Sequence, residues 1–216
     1  MKASRLDELA DGIFAIVMTL LIIEIRVPEF HEDITNEELW HALTELGPLC
    51  LSYVLSFALL FTYWRAHYYV LSIAKNIDIK LTNYNALFLF FVGLIPFTTH
   101  LLGRYNYTQL AVLLYGLNII LIGVTIYTMR GYIIKSDRIE TIPLTPKSIR
   151  HANIRLLVPV ICAVFAMGLC FVNTIASMVL FTLLIIFNLT PAGADVVDFL
   201  IGKAEKMKVT APLKEV

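Results

Sequence analysis

The interpretation of this 216-residue chain starts from the stretch Arg5-Leu-Asp-Glu-Leu-Ala-Asp11-Gly-Ile-Phe-Ala-Ile16-Val-Met-Thr19-Leu-Leu-Ile-Ile23-Glu24-Ile-Arg26. Its uninterrupted apolar part is 12–23, which as a helix would cover about 18 Å of a hydrocarbon core that is roughly 30 Å thick. A helix here must therefore bring Asp11 or Glu24 below the lipid headgroups, or lie away from lipid. Such a helix usually faces protein or water. The stretch is thus the first candidate for lining a permeation path.

The composition is that of a membrane protein. Hydrophobic residues make up 58% of the chain and charged residues 16%, whereas a soluble domain has about 45–50% and about 25%. The formal net charge is zero, which argues against nucleic acid as a partner. Cys50, Cys162 and Cys170 lie in apolar runs without the spacing of a metal or disulfide motif. We expect no cofactor and no bound metal.

The apolar runs predict an all-α integral membrane protein with one six-helix transmembrane domain over 1–216. The expected spans are 5–27, 49–73, 81–102, 108–134, 154–171 and 175–189, and a polar C-terminal tail follows at 203–216. A short amphipathic piece is expected over 39–46, between the first two spans. Pro28 should end the first helix, because proline cannot continue the hydrogen-bond ladder.

The basic residues predict the orientation. With the N-terminus in the cytoplasm and six alternating spans, 15 of the 17 Lys and Arg residues fall on the inner side. Only Arg26 and Arg104 fall outside. This asymmetry favours cytoplasmic N- and C-termini in a multi-pass protein of the cell membrane.

Neither an enzyme nor a transporter has a strong signal. The chain has no His-Glu-x-x-His, no Gly-x-Ser-x-Gly and no Gly-rich phosphate loop, and its histidines are scattered, so no enzyme is predicted. Transporters often have repeated halves or helices broken in mid-membrane. The chain shows no repeat, but Gly93 and Pro96 could break the third span. A secondary transporter of a cation or small solute therefore stays open as the alternative.

A helical wheel of the first stretch separates two faces. Ile16, Thr19, Leu20 and Ile23 fall within a stripe about 100° wide, whereas Asp11 lies about 140° from Ile16. We call these four residues the pore stripe. Ordinary helix packing would give the same periodicity, and Thr19 could equally donate to a carbonyl of its own helix. No Thr-Val-Gly-Tyr-Gly filter loop is present.

The same stretch resembles the first-helix signature of the transmembrane protein 175 potassium channel family. The family pattern is Arg-x-x-x-Phe-Ser-Asp, followed by Gly-Val-Phe-Ala-Ile and Thr-Leu-Leu. The matching residues here are Arg5-x-x-x-Leu9-Ala10-Asp11-Gly12-Ile13-Phe14-Ala15-Ile16, Thr19-Leu20-Leu21, Trp64-x-x-His67 and Leu94-Ile95-Pro96-Phe97-Thr98-Thr99. Leu9 and Ala10 replace the family's Phe and Ser, so a serine hydroxyl is lost. The resemblance is close in the first half of the chain and only one of layout in the second.

The resemblance implies a homotetrameric ion channel, modestly selective for potassium over sodium, whose first helix lines the pore in place of a carbonyl filter. Its implied selectivity residues are Ile16, Thr19, Leu20 and Ile23. Its implied pore-stabilising polar network consists of Arg5, Asp11, Trp64 and His67. An interfacial aromatic belt would be the other explanation for Trp64 and His67. The sequence leaves open whether Glu24 faces the pore mouth or a neighbouring helix.

Overall fold

The structure is a computed structural model that describes residues 3–30, 33–143 and 145–189, so the expected tail at 203–216 lies outside it. These residues form a bundle of α-helices. The helices are α1 Ala3–Ile23, α2 Asn36–Glu45, α3 Gly47–Ser72, α4 Ile79–Gly93, α5 Ile95–Arg104, α6 Gln109–Lys135, α7 Pro146–Leu169 and α8 Thr174–Leu189. The all-α class is therefore as predicted.

Within the part of the chain that the structure describes, four helical segments are long and apolar enough to cross a membrane. They are Gly47–Ser72, Ile79–Arg104, Gln109–Lys135 and Ala152–Leu169. A shorter apolar helix covers Thr174–Leu183. In α1, 21 residues long, the charged side chains all lie in the first half. The count of six spans, which includes α1 and α8, remains a prediction.

The third expected span consists of two helices that meet at Leu94. The N–H of Leu94 donates to the carbonyl of Phe91 at 3.2 Å, and Leu94 keeps a helical backbone with φ −83° and ψ −11°. Pro96 stands in the first turn of α5, where its missing N–H removes the bond to the carbonyl four residues earlier. The interruption is therefore a kink, as is usual for a single proline.

The expected amphipathic piece is α2, and it begins earlier than expected because Thr35 caps it. The N–H of Glu38 donates to the Thr35 hydroxyl at 3.3 Å, while the Thr35 N–H donates to the Glu38 carboxylate at 2.8 Å. This reciprocal pair is a capping box, which satisfies two amide groups at the start of the helix. No residue of α2 is buried.

Two loops, 73–78 and 136–142, are tied together at one end of the bundle. The Asn76 side-chain amide donates to the carbonyl of Arg138 at 2.8 Å and accepts from the N–H of Glu140 at 2.6 Å. The loops are also joined by backbone bonds and an antiparallel bridge. This clasp holds the ends of α3 and α6 together with the start of α4. It marks the end of the bundle where α1 also begins.

Candidate ion path along the first helix

α1 packs against the chain through one stripe. Leu6, Ala10, Phe14, Val17 and Leu21 are buried, at spacings of three and four residues, and they join the core built with α3, α4 and α5. At 100° per residue, this buried stripe is centred about 130° from the pore stripe. α1 thus packs against the rest of the chain through a face other than the pore stripe.

The pore stripe is exposed in the single chain. Ile16 is 59% exposed, Leu20 43% and Ile23 62%, and Thr19 is exposed with them. An apolar face left uncovered at this length usually contacts lipid or another copy, or lines a path. The pore-lining role of these four residues stays a prediction.

The hydroxyl of Thr19 bonds within its own helix. Its Oγ1 lies 2.8 Å from the carbonyl oxygen of Ile16 and 3.0 Å from that of Ala15, and it donates its proton to them. Such bonding back to the preceding turn was one of the two roles considered from the sequence. This hydrogen bonding does not bury the Thr19 side chain, which remains exposed.

The structure brings together two members of the expected polar network. The indole Nε1 of Trp64, on α3, donates to Oδ1 of Asp11 at 2.7 Å. Asp11 therefore turns toward a neighbouring helix, as the wheel suggested. Arg5 is exposed, and it makes no hydrogen bond or ion pair with any described residue. Its place in the network stays a prediction.

His67 lies inside the bundle rather than in a belt at the lipid interface. It is buried, its Nε2 is 2.6 Å from Oδ1 of Asn85, and its ring stacks on Phe88 with centroids 5.1 Å apart. Phe14 of α1 contacts the same two rings. His67 thus reaches α1 through aromatic packing and not through Asp11. Asn85 was missed from the sequence, although it directly precedes the apolar run 86–92, and a buried amide beside such a run is a recognisable signal.

Glu24 faces a neighbouring helix at the far end of α1. Its Oε2 lies 3.0 Å from Nδ1 of His100 on α5, and both side chains are partly exposed. The pair joins the residue that follows α1 to the middle of α5. His100 was not selected from the sequence, because its relation to Glu24 depends on how two helices distant in sequence pack.

Among the described residues, no group of three His, Cys, Asp or Glu side chains could hold a metal ion. What the geometry offers is a half-exposed apolar helix face with one hydroxyl. It is anchored by polar contacts near both ends, from Trp64 to Asp11 and from His100 to Glu24.

The first half of the chain matches a protein-family model. Residues 5–96, which include most of α1 and all of α2 to α4, match the model described as endosomal/lysosomal potassium channel TMEM175. A protein named as a potassium channel from Chamaesiphon minutus is 35% identical over 104 residues, which is 48% of this chain and 51% of the relative. Another so named, from Streptomyces collinus, is 27% identical over 88% of this chain and 94% of its own.

A solved structure matches most of the chain. The crystal structure of a lysosomal potassium-selective channel TMEM175 homolog from Chamaesiphon minutus has a TM-score of 0.73 and 25% identity. The match covers 86% of this chain and 95% of that one. Signature, relatives and fold agree. The chain is therefore similar to the TMEM175 family in its first half and to a TMEM175 homolog in its fold.

Proposed function

We propose that this chain is a subunit of a potassium channel in the cell membrane, in which four copies place α1 around a common axis. The observation that carries the proposal is the pore stripe, which is exposed in one subunit while the opposite stripe is buried. A ring of identical subunits would line a closed path with four copies of each exposed residue. Similarity to a family described as a potassium channel, and to relatives named as potassium channels, supports potassium as the permeant ion.

In this proposal the selectivity resides in side chains. Ile16 and Ile23 form two apolar constrictions, and Leu20 and Thr19 line the path between them. An apolar neck discriminates by the cost of removing water from an ion, and it can close by dewetting. Because potassium holds its hydration shell less tightly than sodium, we expect potassium to pass more readily, with modest selectivity.

The polar contacts hold the pore helix in register. The hydrogen bond from Trp64 fixes Asp11 against α3, and His67 supports Phe14 through ring contacts. In the tetramer we expect Arg5, exposed in the single chain, to complete the network. The subunit then crosses the membrane six times, with α1 and α8 as spans and both termini in the cytoplasm.

The other activities considered have no observation in their favour. The secondary transporter is not favoured by relatives named as channels. The family is one of ion channels, which are not enzymes, and no enzymatic activity is proposed.

Ion flux from proteoliposomes tests the proposal. The protein should pass potassium and rubidium faster than sodium, with unitary currents in planar bilayers that a coupled transporter would not give. Ile16→Ala and Ile23→Ala should raise conductance and weaken the preference for potassium, because each widens an apolar constriction.

The matched control is Ile22→Ala. It removes the same side chain from the same helix, and Ile22 is also exposed, but it lies about 110° from the centre of the pore stripe. This variant should conduct like the parent. The pore assignment is wrong if all three variants conduct alike.

A further inference from the structure

Arg130, on α6, is a buried charge outside the proposed ion path. Its side chain is only 1% exposed. It lies five residues before α6 ends at Lys135, which is about 8 Å along the helix axis. This is the end of the bundle that carries the clasp. A charge held this deep in a membrane helix usually has a function or a charged partner.

One edge of the Arg130 guanidinium has no partner. Nη1 donates to Oδ1 of Asn153 on α7, whereas Nε and Nη2 are buried and unbonded. The N–H groups of Nε and Nη2 point in the same direction and form a fork. That fork matches two oxygens of a carboxylate or phosphate group. Leaving two charged donors unsatisfied in a bundle interior is costly.

The surroundings supply no compensating carboxylate. No described Asp or Glu forms an ion pair with Arg130. The titratable neighbours that act on its charge are the tyrosines Tyr69 on α3 and Tyr127 on α6, each 41% exposed.

We infer that Arg130 binds a phosphate group through its Nε and Nη2 edge, presented by an anionic lipid of the inner leaflet. The depth of Arg130 suits this source, because basic sites between spanning helices on the cytoplasmic side bind lipid headgroups. Tyr69 and Tyr127 are exposed neighbours of Arg130, and their hydroxyls can also donate to phosphate oxygens. Since the guanidinium is 1% exposed, binding requires a side-chain rearrangement, and these two exposed tyrosines are the candidates to move.

The test is a lipid titration of the purified, delipidated oligomer in detergent, with the melting temperature as the readout. Phosphatidylglycerol should raise the melting temperature of the parent saturably, whereas zwitterionic phosphatidylcholine should raise it less. Arg130→Gln should need about tenfold more phosphatidylglycerol for the same shift. Arg138→Gln, which removes an exposed cation from the same end of the bundle, should respond like the parent. A parent-like response of Arg130→Gln would overturn the site.

Two further measurements identify the ligand and separate a loss of binding from a loss of folding. Inorganic phosphate replaces the lipid in one arm. A saturable shift abolished by Arg130→Gln would show that the phosphate group alone suffices, whereas a response to lipid only would identify the membrane as its source. In the other arm, Arg130→Lys keeps the charge without the fork and should bind several-fold more weakly. If Arg130→Lys binds as tightly as the parent, recognition through the fork is wrong. These readouts do not depend on ion conduction, so they can fail while the channel proposal stands.

Discussion

At the scale of single residues, the anchoring of α1 depends on how a carboxylate is held beside an apolar helix. Asp11 lies away from the pore stripe and accepts a hydrogen bond from the Trp64 indole at 2.7 Å. An indole can donate but not accept, so it pairs with the carboxylate in one direction only. The contact fixes the rotation of α1 relative to α3, and with it the direction in which the pore stripe faces.

Removing this bond should destabilise the subunit modestly. Trp64→Phe keeps an aromatic ring but removes the donor, and it should lower the free energy of unfolding by about 1 kcal/mol, the usual net value of one hydrogen bond. Asp11→Ala should cost a similar amount, and the double variant little more than either, since both changes break the same contact. Denaturant titration in micelles measures all three.

Trp40→Phe is the matched control, because Trp40 is exposed on α2. It should leave the unfolding free energy unchanged. Strictly additive losses in the Trp64 and Asp11 variants would contradict the proposed coupling between them.

A second residue-scale consequence concerns pH. Asp78 caps α4 by accepting from the N–H of Leu81 at 2.8 Å, and it also accepts from the Tyr132 hydroxyl. The pKa of Asp78 is lowered from its ordinary value of 3.8, chiefly by the bond from Tyr132, then by the bond from Leu81 and the charge of Arg138. The folded state therefore binds a proton less readily than the unfolded state. This stabilisation is present above the ordinary pKa and is lost as the pH falls through the lower folded value.

Asp78→Asn should accordingly flatten the acid side of the stability profile. The parent should lose melting temperature as the pH is lowered from about 5 through the ordinary Asp pKa and below it, whereas Asp78→Asn should lose less over the same range. Asp137→Asn removes an exposed carboxylate from the neighbouring loop and should follow the parent. If Asp78→Asn and the parent lose stability in parallel, Asp78 does not contribute to the pH dependence.

At the scale of helices, hydrophobic periodicity was informative wherever a helix is apolar along its length. The run expected over 108–134 is the helix Gln109–Lys135, because the apolar sequence continues and only polar residues end it. On α1 the wheel correctly turned Asp11 away from the pore stripe. It could not tell which apolar stripe packs within the chain, since both stripes have helical spacing. The sequence also did not decide whether the third span bends or ends at Leu94, because a proline near a helix end is compatible with either a bend or a stop.

Close approach of α6 and α7 depends on a glycine. A Cβ added to Gly123 would lie 2.2 Å from Cγ2 of Val160, a short branched side chain that cannot move away easily. Gly123→Ala should therefore force the two helices apart and cost about 1–3 kcal/mol. Chemical denaturation of the detergent-solubilised protein measures the loss.

Gly131→Ala gives the comparison within the same helix. A Cβ at Gly131 meets nothing within 4 Å, so the change should be neutral or stabilise by up to about 1 kcal/mol through helix propensity. Equal effects of the two substitutions would show that the α6–α7 contact does not need a small residue at Gly123.

At the scale of the whole molecule, the contacts that position α1 could not be predicted, because they join helices far apart in the chain. His67 with Asn85 and Glu24 with His100 depend on packing angles that a single sequence does not contain. Trp64 and Asp11 were paired only by the family resemblance. The homotetramer and the count of six spans also remain predictions, since one subunit does not display its own symmetry.

A ring of four thiols tests the assembled path. Ile16→Cys should make potassium currents sensitive to cadmium, because four cysteines around a narrow axis form a soft metal site. The background should carry Cys50→Ser, since Cys50 is the exposed native cysteine. Ile22→Cys should conduct with no cadmium block. Equal sensitivity of the two variants would place position 16 away from the axis.

The hydroxyl of Thr19 has one proton, and the carbonyl oxygens of Ala15 and Ile16 already take it. What remains for an ion is the oxygen with its lone pairs, which can accept but not donate. Four such oxygens around an axis would offer partial negative charge to a dehydrated cation and nothing to an anion. The path would then favour cations over anions in mid-membrane without any ionised side chain. The cause would be the hydrogen bond that each Thr19 hydroxyl donates to its own helix.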